Sequence, residues 1–184
     1  IRKDELSLRY DLTVPLARVV AANPELPRPF KRYQFGRVWR GEKQQTGKGR
    51  WREFTQLDVD IVGSDSPMAD AEIVTLMYEM LTALGLSEFV IKVNNRKLLE
   101  GFSPEILRAV DKRDKIGWEG VEKELGGQAQ EVRQSFEQRR TNKELDALLE
   151  NAKTLGVPEE KLKIDNTVVR GLDYYTGNVF EAVF

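Results

Sequence analysis

Residues 52–60 alternate in a way that could build a polar binding surface. Every second position carries a charged, amide or aromatic group: Arg52, Phe54, Gln56, Asp58 and Asp60. Side chains of a strand alternate between its two faces, so these five would share one face. The other face would carry the apolar Trp51, Leu57, Val59 and Ile61 together with Glu53 and Thr55. If that face is covered, its carboxylates need a cationic or N–H-bearing partner, because burying a bare carboxylate is costly. Solvated charge at a sheet edge is the plain alternative.

Arg40 and Glu42 stand where an earlier strand-like segment enters a loop rich in glycine and lysine. A surface ion pair is one interpretation. Phosphate recognition is the other, because an arginine fork matches phosphate oxygens and stays charged at any relevant pH. The nearby cations Lys43, Lys48 and Arg50 favour an anion. There is no Walker lysine–serine pattern, so the loop is not a P-loop.

Phe54 has two interpretations as well. A place in the core is the usual explanation for a phenylalanine. Its neighbours on the predicted face are polar, however, and a ring exposed among polar groups is a natural stacking platform for a nucleobase.

Two missing residue types narrow the chemistry. The 184 residues include no cysteine, which excludes thiol catalysis, disulfides and cysteine-ligated zinc within this segment. They include no histidine, which removes the commonest general base near neutral pH. Catalysis here would rest on carboxylates, arginines, lysines, tyrosines or positioning. The formal net charge of −1 argues against nucleic-acid binding by overall basicity and leaves a local patch open.

The elements that must position these side chains form an α+β pattern with mainly antiparallel pairing and flanking helices. Residues 30–62 predict an antiparallel hairpin with a cationic tip. Thr13 is predicted to cap a preceding helix with an apolar stripe of Leu16, Val19 and Val20. Ser66 is predicted to cap a following helix that Gly85 ends. That helix would turn one apolar face inward: Ile73, Leu76, Met77, Met80, Leu81 and Leu84.

The remainder of the chain predicts a strand, a charged helical stretch and a return to the sheet. "EFVIKV" is the strand, and residues 103–157 are helical but ragged, which we interpret as a small insertion rather than core. "TVVRGLDYYTGNVFEAVF" predicts a strand, a turn around Gly171 and Gly177, and a last strand. The chain begins without methionine and stops inside an apolar run, so we expect a piece of a larger protein.

Three stretches together closely resemble the catalytic domain of histidyl-tRNA synthetases: "SLRYDLTVPLAR", "WRGEKQQTGKGRWREFTQLDVDIVG" and "VVRGLDYYTGNVFEAVF". The resemblance implies part of a class II synthetase core, with residues 1–102 holding the motif 2 hairpin, 103–157 the helical insertion and 158–184 a histidine-site segment. Motif 1, motif 3 and the anticodon-binding domain of that family have no counterpart in these residues.

The resemblance also implies roles for single residues. Arg40 and Arg170 would flank the ATP α-phosphate as the catalytic pair. Glu42 would face the adenine end, Arg50 the outer phosphates, and Phe54 would stack on the adenine.

The remaining implied roles concern the amino acid. The α-ammonium group would be held by three acceptors, Asp11, Thr13 and Gln56. Asp60 and Tyr175 would hold the two imidazole nitrogens, with Tyr174 beside them.

The implied activity is ATP-dependent formation of histidyl-adenylate and its transfer to tRNA(His), by a cytoplasmic homodimer that uses Mg²⁺ and has no contact with membranes. No metal ligand is certain, and we expect residues 1–184 alone to be inactive. The alternative is the regulatory subunit of ATP phosphoribosyltransferase, a non-catalytic paralogue that senses histidine. That family generally loses the Arg-Gly-Leu-Asp-Tyr-Tyr run and the motif 2 arginines, and both are intact here. A pure interaction module would leave the aligned polar face unexplained.

Overall fold

A computed structural model of the chain describes residues 7–41, 50–138, 140–169 and 175–184. The chain divides into two compact units, Ile1–Asp65 and Ser66–Phe184. Both contain helices and strands, so the predicted α+β class is confirmed. Within the described ranges, no helix is both long and apolar enough to span a bilayer.

The first unit contains helix α1 (Thr13–Ala22) and a hairpin of strands β1 (Phe30–Trp39) and β2 (Glu53–Val62). The strands pair antiparallel over their whole length, from Phe30 with Val62 to Trp39 with Glu53. The even-numbered residues of β1 are buried or half-buried, and the odd-numbered ones from 31 to 37 are exposed. The predicted hairpin and its alternation are therefore confirmed.

The start of α1 differs from the prediction. Thr13 is the first helical residue rather than the cap, and Leu12 stands at the cap position without a side-chain hydrogen bond. The side chain that caps the helix is that of Asp11, whose Oδ1 accepts a hydrogen bond from the Val14 N–H at 3.1 Å. Leu16 is buried as predicted, whereas Val19 is 50% exposed, so its place in the apolar stripe was wrong.

The second unit is built on a three-stranded sheet in the order β4-β3-β5. Strand β3 (Val90–Asn95) lies in the middle, parallel to β4 (Leu162–Ile164) and antiparallel to β5 (Asn178–Val183). The strand predicted before Gly171 was misplaced. The paired residues are 162–164, and the chain then turns, with the Val168 N–H donating to the Asp165 carbonyl at 3.0 Å.

The described part of this unit also contains five α-helices: α2 (Pro67–Ala83), α3 (Pro104–Asp111), α4 (Arg113–Leu125), α5 (Ala129–Glu137) and α6 (Lys143–Thr154). Ser66 caps α2 as predicted, with its hydroxyl oxygen accepting from the Met68 N–H at 3.3 Å. The buried face of α2 is displaced from the prediction, because Ala71 and Val74 are fully buried while Leu84 is 72% exposed.

Helix α6 lies in the main core of the second unit. Leu145 and Leu148 pack in one cluster with Val74 of α2 and Ile91 of β3. The expectation that the whole stretch 103–157 lies outside the core was thus wrong for α6. The remaining helices of the stretch form a second cluster, which includes Val110, Val132 and Phe136. The domain boundaries after residues 102 and 157 stay predictions.

Candidate active site

One face of the β1–β2 hairpin brings together most of the predicted site residues. The register sets Arg32 opposite Asp60, Gln34 opposite Asp58, Gly36 opposite Gln56 and Val38 opposite Phe54. Residues directly opposite in an antiparallel pair share a face and lie in contact. Gly36 leaves space for the Arg9 side chain, since a Cβ atom at position 36 would come within 2.8 Å of Arg9 Nη2.

The Asp60 carboxylate has the cationic partner that its position requires. Arg32 Nη2 lies 2.9 Å from Asp60 Oδ2, and their side chains are 13% and 23% exposed. The same guanidinium donates to the Leu12 carbonyl at 3.2 Å and to Gln34 Oε1. Sequence reasoning missed Arg32. Its signal was present in the alternation of β1, but only the register identifies it as the partner of Asp60.

Arg40 lies between two aromatic rings. Its guanidinium carbon is 4.6 Å from the ring centroid of Tyr10 and 5.0 Å from that of Phe54, within the range of cation–π attraction. Its backbone N–H donates to the Arg52 carbonyl at 2.8 Å, which extends the hairpin by one bond beyond Trp39. The aromatic contacts hold a permanent cation at the end of the polar face.

Several buried polar atoms of this face have no aligned hydrogen bond in the part of the chain that the structure describes. They are Arg32 Nε, Arg40 Nε, Gln56 Oε1 and Asp60 Oδ2. For Asp60 Oδ2 the contact with Arg32 is an ion pair by distance, without the angle of a hydrogen bond. A buried polar atom left unpaired costs about 1–3 kcal/mol. Such atoms are sites where a polar ligand would recover energy.

The Asp58 carboxylate interacts electrostatically with two other carboxylates and two arginines. Burial and then the nearby Asp60 carboxylate raise the pKa of Asp58 above its ordinary value. Asp11 raises the pKa of Asp58 as well, while Arg32 and Arg40 lower it. The arrangement offers acceptors for a cationic or N–H-bearing ligand group beside cations for an anionic one.

The other predicted site residues are less closely grouped. Asp11 is half-buried, and Thr13 and Arg50 are exposed. Tyr175 is 49% exposed and belongs to the second unit. Glu42, Arg170 and Tyr174 lie outside the described residues. Among the residues that are described, no three or more acidic side chains lie close enough together to hold a metal ion.

Comparison with known proteins identifies one family. The profile of histidyl-tRNA synthetases matches residues 2–116. The histidine--tRNA ligase of Aeropyrum pernix is 45% identical over 96% of this chain and 47% of its own length. That of Clostridium tetani is 41% identical over 97% of this chain and 49% of its own length.

Solved structures agree. The histidyl-tRNA synthetase of Nostoc sp. PCC 7120 superposes with a TM-score of 0.81 at 29% identity, over 95% of this chain and 49% of that one. A Bacillus halodurans protein described as an ATP phosphoribosyltransferase regulatory subunit/histidyl-tRNA synthetase gives 0.69 at 26% identity, over 95% and 53%. The chain spans about half the length of these relatives. Its fold is part of the class II synthetase core, and the chain belongs to the histidyl-tRNA synthetase family.

Proposed function

We propose that the whole protein activates histidine with ATP and transfers the histidyl group to tRNA(His). The observation that carries this proposal is the polar face of the hairpin in a chain of this family, where Gln56 and Asp60 share a face with Phe54 and the Arg40 guanidinium lies against the Phe54 ring. Arg40, Gln56 and Asp60 each have a buried polar atom without an aligned hydrogen bond among the described residues. Gln56 and Asp60 supply acceptors for the N–H groups of an amino acid, and Arg40 supplies a cationic donor for a nucleotide phosphate.

Activation of an amino acid requires no protein base. A carboxylate oxygen of histidine forms a bond to the α-phosphorus of ATP, while the bond from that phosphorus to pyrophosphate breaks. Positioning and cations around the phosphorus accelerate such transfers. In this proposal Arg40 and Arg170 are the cations, and the lack of histidine and cysteine in the chain is no obstacle.

The amino acid would be recognised at both ends. Gln56 Oε1 is buried and unpaired among the described residues, which supports its role as an acceptor for the α-ammonium group together with Asp11 and Thr13. Asp60 and the Tyr175 hydroxyl would hold the imidazole nitrogens, with Tyr174 next to them. An imidazole with one N–H and one lone pair, or with two N–H groups, is matched chemically by one carboxylate and one hydroxyl.

The nucleotide would bind at the loop end of the hairpin, beside Arg40 and Phe54. Adenine would stack on Phe54 beside or in place of the Arg40 guanidinium, which now lies 5.0 Å from the ring centroid. Glu42 would face the adenine, and Arg50 the outer phosphates. Mg²⁺ would accompany ATP, but the described residues include no group of three acidic ligands, so no step is assigned to a metal held by this chain.

Further properties of the whole protein come from the family alone. Histidine, ATP and tRNA(His) would be its partners, and it would act as a cytoplasmic homodimer. The regulatory-subunit alternative is retained because one similar structure carries that description as well.

The test is histidine-dependent exchange of labelled pyrophosphate into ATP by the full-length protein. Exchange that requires histidine supports the synthetase. Histidine binding without exchange, together with stimulation of an ATP phosphoribosyltransferase, would instead establish the regulatory role.

A further inference from the structure

Arg32 joins three parts of the first unit through one side chain. It stands on β1 directly opposite Asp60, and its side chain is only 13% exposed. Its Nη2 lies 2.9 Å from Asp60 Oδ2 and 3.2 Å from the Leu12 carbonyl oxygen. Its Nη1 donates to Gln34 Oε1 on its own strand. A single guanidinium therefore connects β2, β1 and the residue that precedes α1.

These contacts reach both ends of the histidine site that is proposed above. Asp60 is the proposed imidazole acceptor, and Leu12 stands between Asp11 and Thr13, two of the proposed acceptors for the α-ammonium group. We propose that Arg32 is a positioning residue for histidine recognition, because its guanidinium fixes the Asp60 carboxylate relative to the backbone at Leu12. This inference rests on the proposed function and names the residue that sets the distance between the two ends of the site.

The chemistry of arginine explains why this position carries it. A guanidinium presents five N–H donors in a rigid plane, so it can hold a carboxylate and two neutral oxygens in fixed directions. A lysine ammonium is a compact point charge on a flexible stem and fixes no such geometry. Arg32→Lys keeps the charge opposite Asp60 and removes the fork.

Arg32 also opposes the accumulation of negative charge. It is one of the two arginines that lower the pKa of Asp58, against burial, Asp60 and Asp11, which raise it. Without its charge, Asp60 would lose the cation at 2.9 Å. A carboxylate without that cation would adopt other rotamers and would no longer present one oxygen in a constant direction.

The experiment compares Michaelis constants for histidine and ATP in the full-length protein, by pyrophosphate exchange. We expect Arg32→Lys to raise the constant for histidine about tenfold, because lysine keeps the charge but loses the guanidinium's hydrogen bonds to Leu12 and Gln34, which hold it against Asp60. The constant for ATP should change less than about twofold, since Arg32 has no proposed contact with the nucleotide. Arg37→Lys is the matched control, because Arg37 lies on the opposite face of β1 with a 71% exposed side chain.

A double-mutant cycle separates positioning from general stability. If Arg32 acts through Asp60, Arg32→Lys should add little to the histidine constant in an Asp60→Asn background. Additive effects, equal losses for both substrates, or no loss at all would each overturn the inference. Thermal unfolding of every variant is measured beside the kinetics. If Arg32→Lys does not fold, Arg32→Gln takes its place, and failure of both to fold would assign Arg32 a purely structural role.

The proposed function can fail separately. If the wild-type protein binds histidine in calorimetry but shows no exchange, the synthetase proposal is wrong, and the same variants then test Arg32 through their dissociation constants for histidine. If the wild-type protein does not bind histidine, both proposals are overturned.

Discussion

At the scale of single residues, the candidate site depends on how charges are compensated on one sheet face. Asp60 illustrates this, because its carboxylate is three-quarters covered and faces Arg32 at 2.9 Å. The ion pair offsets part of the cost of burial, and among the described residues Asp60 Oδ2 still lacks the aligned hydrogen bond that a ligand N–H could supply. Asp60, the residue proposed to recognise the imidazole, is thus held in place by Arg32, which has no proposed contact with the imidazole.

Asp60→Asn should weaken histidine binding selectively. It replaces a charged acceptor by an amide of the same size, so the lost charge-assisted hydrogen bond should cost about 1.5–3 kcal/mol, or roughly ten- to a hundredfold in affinity. Michaelis constants for both substrates in the full-length protein provide the measurement, with ATP expected to change little. Because the change also leaves Arg32 without its counter-charge, the melting temperature is recorded as a control. An equal loss for ATP would make Asp60 structural.

Asp58 should affect stability in a pH-dependent way. Burial, followed by the nearby Asp60 carboxylate, raises the pKa of Asp58 in the folded state. The folded protein therefore holds this proton more tightly than the unfolded chain, and the ionised carboxylate costs stability. The cost is fully present above the folded pKa and disappears as the pH falls below the ordinary value of 3.8.

Asp58→Asn should consequently raise the melting temperature at neutral pH, with the gain shrinking towards about pH 3. Thermal unfolding of residues 1–184 across this range measures it, and the exposed Asp65→Asn is the control. A gain that stays constant with pH would mean that the effect does not arise from the carboxylate's charge.

At the scale of elements, local periodicity in the sequence was enough to predict the hairpin. It was not enough to predict contacts that depend on strand register or on packing between helices. The two-residue alternation of β1 and β2 predicted the hairpin, because each face of a paired strand has its own environment. The contact between Arg32 and Asp60 depends on the register, which the length of the connecting loop sets. Likewise Leu145 and Leu148 stand in a charged helix, and only their packing against α2 and β3 makes them core. The Asp11 cap was missed because Thr13, which is nearer to Pro15 in the sequence, also has a capping side chain.

Residues at the end of β3 form hydrogen bonds with two other segments of the second unit, residues 166–168 and Gly177. Asn94 is fully buried, and its Nδ2 donates to the carbonyls of Asn166 and Val168 at 3.0 Å each. Its Oδ1 accepts from Asn166 Nδ2 at 2.9 Å. Two residues later, the Arg96 N–H donates a hydrogen bond to the Gly177 carbonyl at 2.9 Å, which holds the chain before β5.

Asn94→Asp should destabilise residues 1–184 by about 2–5 kcal/mol, because two buried carbonyls lose their donor and a charge is buried beside them. Urea unfolding provides the measurement. Gln130→Glu, the same amide-to-acid change at an exposed position of α5, should leave stability within about 0.5 kcal/mol. A loss no larger for Asn94→Asp than for Gln130→Glu would show that this hydrogen-bond network is dispensable.

At the scale of the whole molecule, each compact unit carries some of the residues with proposed roles. The hairpin belongs to residues 1–65, and Tyr175 belongs to residues 66–184. The relatives are about twice as long as this chain, so these residues cover only about half of the family's sequence. We expect residues 1–184 alone to bind ATP weakly and to charge no tRNA, because a nucleotide held only by part of its site gains too little to offset the entropy of binding. Calorimetric titration with ATP and Mg²⁺, with the full-length protein as the positive control, measures this. ATP affinity equal to that of the full-length protein would mean that this chain already holds the complete nucleotide site.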